Sequence, residues 1–177
     1  MKYLMMCEGP NELEIIRILL ENDRLIYTCD DLLNLVPYHA RQISSSAAVK
    51  TALNLYSGPV TIFRIGDKQN ENLKIPPRYK EQIEGVRKFC TKPELEMLLI
   101  ISEGLVSEFE KVKSSVSPKT FSKDHIICNR KRYDNSTAFY RNYYGENVEM
   151  LVDAIKRYKQ LKGKHGRDEE YLADLLK

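Results

Sequence analysis

Apolar and polar positions divide the chain into strand–helix units followed by helices. Lys2–Cys7 is a short apolar run that reads as a buried strand, ended by Glu8-Gly9. Pro10 suits the first turn of a helix, where a missing N–H costs nothing, and Leu13, Ile16, Leu19 and Leu20 then share one helical face. Residues 24–29 predict a second strand, and 30–41 a short helix followed by an extended piece. Ser44-Ser45-Ser46 offers N-cap oxygens to a helix carrying the stripe Val49, Ala52, Leu53 and Tyr56, with Gly58-Pro59 as its stop. Val60–Ile65 reads as a buried central strand ending in Gly66-Asp67.

The polar stretch 68–78, with Pro76-Pro77, predicts a loop, and 79–84 one or two helical turns. Val86–Thr91 reads as a strand, and Pro93 as the first-turn proline of a helix over 94–103. A second helix is expected over 105–113. Residues 114–129 are polar, with a short strand or turn at Ile126-Ile127. Helical spacing returns over 136–143, and again at Val148, Leu151, Val152, Ile155 and Tyr158 until Gly163. A last short helix is expected over 168–176.

Strand–helix units first and helices afterwards predict an α/β fold: a small, mostly parallel sheet flanked by helices, with a helical C-terminal part. Residues 1–113 would form the α/β core and 114–177 a basic, mainly helical extension packed on it. In such sheets ligands bind beyond the C-terminal ends of the strands. Glu8, Asp67 and the segment 91–96 all fall at such ends.

The 177 residues suit one domain. No apolar run approaches the roughly 20 residues of a membrane span, and the first run is followed by a carboxylate and a helix rather than by a cleavage site. The expectation is a cytoplasmic protein with no membrane contact. Cys7, Cys29, Cys90 and Cys128 stand among apolar neighbours with no CxxC pair, and the three histidines are isolated. Reduced, buried thiols are therefore expected instead of a zinc site. No glycine-rich phosphate loop is present, which argues against a nucleotide-binding domain.

The acidic residues at the strand ends change the picture. Carboxylates from different strands that meet at one point repel unless a cation joins them, and Mg2+ prefers hard oxygen ligands. Glu8-Gly9-Pro10-Asn11-Glu12 after one apolar strand, and Ile65-Gly66-Asp67 after another, resemble the Toprim domain of topoisomerases, primases and OLD-family nucleases. The segment 91–99 is similar to a strand-to-helix junction of Toprim-like nucleases in bacterial defence. The resemblance covers about residues 1–100. It implies a Mg2+-dependent (or Mn2+-dependent) nuclease acting on DNA or RNA phosphodiesters. Glu8, Glu12 and Asp67 would hold the metal, assisted by Glu94 or Glu96, with Glu8 and Asp67 catalytic. The family's second aspartate is replaced by Gln69. A catalytically degenerate module that binds nucleic acid or a partner protein in a defence or repair complex is therefore the alternative. Glu12, Glu14 and Glu94 also read as ordinary first-turn acids favoured by the helix dipole.

The net charge is only +3, but cations interleaved with tyrosines gather after residue 119. Arg130-Lys131-Arg132 and Arg141 are candidate nucleic-acid contacts, with Lys68 beside Asp67. Lys131 is also the candidate for steadying charge on a scissile phosphate. Their other reading is a set of ordinary solvated faces.

Overall fold

The structure, a computed structural model, describes residues 1–67, 72–91, 94–161 and 170–177. Five parallel strands form its sheet: β1 (Lys2–Cys7), β2 (Tyr38–His39), β3 (Val60–Gly66), β4 (Ile83–Cys90) and β7 (Glu170–Tyr171), in the order β2-β1-β3-β4-β7. A small antiparallel hairpin, β5 (Ile127–Cys128) and β6 (Lys131–Arg132), stands apart from it. Helices flank the sheet, as expected for a Rossmann-like α/β fold. They are α1 (Pro10–Glu21), α2 (Ala47–Leu55), α3 (Met97–Ser102), α4 (Val106–Val112), α5 (Pro118–His125), α6 (Thr137–Tyr144) and α7 (Val148–Leu161).

The two-residue period of the strands sorts the core onto two faces. Met5, Cys7, Phe63 and Ile65 pack with α1, α3, α6 and α7 in the larger cluster. Leu4, Met6, Val60 and Ile62 pack with α2 and Ile43 in the smaller one. Strands buried on both faces read as continuous apolar runs, which is why β1 and β3 are visible in the sequence.

Counted within the sheet, the strand order is 2-1-3-4-5. Successive connections run outward from β1 in one direction and from β3 in the other, so the topological switch point lies between the C-terminal ends of these two neighbours. Cys7 pairs with Ile65 there, and the Glu8 N–H donates to the Ile65 carbonyl at 2.9 Å. Glu8 and Asp67 leave the sheet side by side.

Several elements differ from the sequence reading. Residues 24–29 are not a strand: Leu25 makes one isolated bridge to Leu176, and Cys29 is exposed in a 3-10 turn. Thr28 and Asp31 cap that turn reciprocally, a local interaction that competes with strand pairing. Tyr79 closes a 3-10 turn and β4 begins at Ile83, earlier than periodicity indicates. Helix α5 lies within a stretch read as mainly polar. It starts at Ser117-Pro118, with the Ser117 hydroxyl accepting from the Thr120 N–H at 3.2 Å. The expected last helix is instead β7 followed by a 3-10 turn over Leu172–Leu175. Strand β7 is the fifth strand of the sheet, so residues 114–177 supply part of the core layer as well as helices. Among the described residues no helix is long and apolar enough to cross a membrane.

Candidate functional site

Glu8 follows β1 and turns toward the α2 face, the side also faced by Arg64 of β3. The two form a buried ion pair at 3.0 Å, with side chains only 7% and 4% exposed. Arg64 is the one charged residue in the run Val60–Gly66, and a guanidinium placed there without a carboxylate would be costly. The Arg41 Nε–H donates to the Glu8 carbonyl at 3.2 Å and closes the same corner. Gly66 lies directly beneath the Glu8 carboxyl group: a methyl group at position 66 would overlap it. The glycine before Asp67 therefore makes room for Glu8.

Glu12 occupies the first turn of α1. Its carboxylate folds back over Gly9 and accepts its own backbone N–H, filling the electropositive helix start with a carboxylate of the chain itself. Burial raises the Glu12 pKa above its ordinary value, and the nearby charges of Asp67, Glu96 and Glu8 raise it further. Those four carboxylates form the acidic centre. Asp67 follows β3 at the switch point and is half-buried. Glu96 precedes α3, is buried, and accepts the Tyr133 O–H at 2.7 Å.

Glu94 is elsewhere. Its Oε2 accepts the backbone N–H of Lys119 at 2.8 Å, capping the first turn of α5. Of the two glutamates in that junction, Glu96 is the one beside Glu12. Among the described residues no basic side chain pairs with Glu12, Asp67 or Glu96. The same residues contain no group of three or more His, Cys, Asp or Glu already arranged to hold a metal ion. The charges are near enough to disfavour ionisation of Glu12 but are not gathered on one point. Lys68 and Gln69 lie outside the described residues.

Thr91, which follows β4, is 3% exposed and its hydroxyl has no hydrogen-bond partner among the described residues, while its N–H donates to the Gly66 carbonyl at 3.1 Å. Thr91 lines a small cavity with Glu94, Leu95, Leu98, Ile155 and Tyr158.

No protein-family model, curated protein or solved structure matches this chain.

The cations divide into two groups. Arg141 is tied to α1: its Nε–H donates to Glu14 at 2.5 Å, and its terminal nitrogens hold Glu21. Packing of α6 on α1 accounts for it. Arg130, Lys131 and Arg132 are exposed on the β5–β6 hairpin. Lys131 pairs with Asp134 at 2.7 Å and, through that hydrogen bond, holds the Asp134 carboxyl down at about 2. Asn129 and Arg130 form the hairpin tip with φ of 49° and 66°. The left-handed region suits asparagine but is unfavourable for arginine.

Arg64, Tyr133, Asn135 and Thr91 were not singled out as site residues from the sequence. Arg64 was detectable as a charge inside a strand. Tyr133 carried no signal, because one tyrosine among 11 is not distinguished by its neighbours.

Proposed function

We propose that the chain is a divalent-cation-dependent, Toprim-like nuclease of the cytoplasm, acting on DNA or RNA phosphodiesters, with Mg2+ as the natural ion and Mn2+ as a substitute. The observation that carries this reading is that Glu8 and Asp67 follow the adjacent strands β1 and β3 at the switch point of a parallel sheet, with Glu12 near enough to be influenced by the charges of Asp67 and Glu96. Repulsion within such a group is relieved by a proton or by a cation, and at neutral pH a cation is the stronger partner. Glu12, Asp67 and Glu96 would hold the ion. When bound it would offset phosphate charge and make water a better nucleophile.

Glu8 has a different part in this reading. Paired with Arg64, it keeps one wall of the site charged but neutral in sum, and releases its second oxygen toward the ion only if the pair loosens. The hairpin cations Arg130 and Arg132 would grip the nucleic-acid backbone, and Lys131 would exchange Asp134 for a phosphate oxygen.

The buried Glu8–Arg64 pair favours a second reading, in which the centre is catalytically degenerate and the protein binds nucleic acid or a partner protein without turnover. Cleavage assays separate the two. Single- and double-stranded DNA and RNA are incubated with the wild type, Glu8→Gln and Asp67→Asn, in Mg2+ or Mn2+. The nuclease reading predicts cleavage that needs the cation and falls by at least about 100-fold in Asp67→Asn, the scale of a lost electrostatic contact in a transition state. Salt-sensitive binding with no cleavage in any condition supports the second reading. Activity surviving both substitutions contradicts the assignment of these residues.

A further inference from the structure

Helix α4 packs on α3, and its Phe109 meets Phe121 of α5 edge-on, with ring centroids 5.3 Å apart. Val106, Phe109, Glu110 and Lys113 follow the spacing i, i+3, i+4 and i+7, so they share one side of the helix. That side and residues Tyr158 and Leu161 of α7 line an open cavity of about 840 Å3, with Met97 of α3 and the loop 114–118 completing the wall. The volume falls within the roughly 300–1,000 Å3 of small-molecule sites, which form readily between packed helices. None of Glu8, Glu12, Asp67 and Glu96 lines this cavity, so it stands independently of the strand-end acids.

The lining states what the cavity would accept. Met97, Val106, Phe109, Tyr158 and Leu161 make it apolar. The two charged residues in the wall, Glu110 and Lys113, pair with each other across one helical turn. An ionised ligand would therefore give up its hydration and find no opposite charge in exchange. The polar end is the serine loop. Ser115 donates its hydroxyl proton to the Val112 carbonyl at 3.2 Å. Its oxygen keeps both lone pairs, so it can accept a hydrogen bond from a ligand. Ser117 is used by the fold itself, since its hydroxyl caps α5 by accepting from the Thr120 N–H at 3.2 Å.

We propose that this interhelical cavity is a binding site for an uncharged apolar small molecule that carries a hydroxyl group. The apolar body lies against Phe109, Tyr158 and Leu161, and the hydroxyl donates at the serine loop.

The test is a titration of the full chain with Nile red, an uncharged fluorescent probe, followed by displacement with 1-octanol, octanoate and 1-methoxyheptane at pH 7. The proposal expects one blue-shifted probe per chain. It expects octanol to displace it at a concentration at least about 10-fold below octanoate, because the carboxylate must be buried unpaired. The ether has the length of octanol but no proton to give, and is expected to be about 5-fold weaker, the scale of one net hydrogen bond. Leu161 is 48% exposed at the end of α7, so Leu161→Glu places a charge in the wall at little cost to folding. It is expected to weaken the probe about 10-fold, whereas Leu55→Glu, at an exposed leucine outside the cavity, leaves binding unchanged. Should Leu161→Glu not fold, Val106→Glu takes its place, an acid being favoured in the first turn of α4. Absence of a one-to-one probe complex overturns the proposal, as does equal weakening by Leu161→Glu and Leu55→Glu. Displacement by octanoate as good as that by octanol overturns the uncharged ligand, and equal displacement by the ether overturns the hydroxyl. One probe per two chains overturns it in favour of a cavity shared between copies.

Discussion

The Glu8 carboxyl group lies over Gly66, occupying the space where any larger residue would put its first side-chain carbon. Both sit at the β1–β3 switch point, and Arg64 binds the carboxylate from the same strand face. Gly66→Ala therefore forces either the ion pair or the strand to shift. Overpacking of this kind costs roughly 1–3 kcal/mol. Replacing Glu8 with Ala in the same chain vacates the space, so the two substitutions are predicted to be strongly non-additive in a urea-unfolding cycle. Additive losses would contradict the contact.

Glu12 gives a pH dependence whose sign follows from its environment. Its pKa in the folded chain is raised from the ordinary 4.5, first by burial and then by Asp67, Glu96 and Glu8. Its contribution to stability is complete below the ordinary value and is lost as pH rises through the raised one, because the unfolded chain ionises first. Without divalent ions, Glu12→Gln is predicted to be more stable than the wild type at pH 7 and not at pH 4. A gain of about 1 kcal/mol appears as a melting shift of about 2–4 °C in a chain of this size. Equal melting curves at both pH values would contradict the crowding of these carboxylates.

Glu94 and Glu96 are two residues apart and do different work. Glu94→Ala removes a cap of α5 and is predicted to lower stability by about 1 kcal/mol, with Mn2+ affinity retained. Glu96→Gln is predicted to lose Mn2+ affinity. Denaturant unfolding and Mn2+ titration of both variants check the division, and the reverse pattern would return the site to Glu94.

Arg130 holds a left-handed conformation that costs an L-residue about 1–2 kcal/mol, and a glycine would take it without strain. Arg130→Gly is therefore predicted to raise stability slightly. If the hairpin grips phosphates, the same change weakens nucleic-acid binding and lowers the slope of log affinity against log salt by about 1. Binding measured by fluorescence anisotropy at several salt concentrations separates this from a purely structural arginine.

The doubly buried strands were legible in the sequence because β1 and β3 are mostly apolar runs, and their order already put Glu8 and Asp67 at strand ends. Helices with an apolar stripe, such as α7, were legible for the same reason of period. Strand β7 was not: it is two residues long, pairs with β4 at Phe89 and Cys90, and falls in a stretch that read as a last short helix. Helix α5 was missed because its stability comes from the Ser117 and Glu94 caps and from Phe121, not from a long stripe. Within the acidic centre the first carboxylates announced themselves by their place after strands. The choice between Glu94 and Glu96 did not, since it depends on Lys119 and Tyr133, residues 25 and 37 positions away.

The most direct test of the cation site is anomalous diffraction from crystals of the chain soaked in Mn2+ at neutral pH. The account predicts one strong anomalous peak at the β1–β3 switch point, within ligand distance of carboxylate oxygens of Glu12, Asp67 and Glu96, and its disappearance in Asp67→Asn. A well-ordered acidic centre with no peak, or a peak that persists in Asp67→Asn, would contradict it.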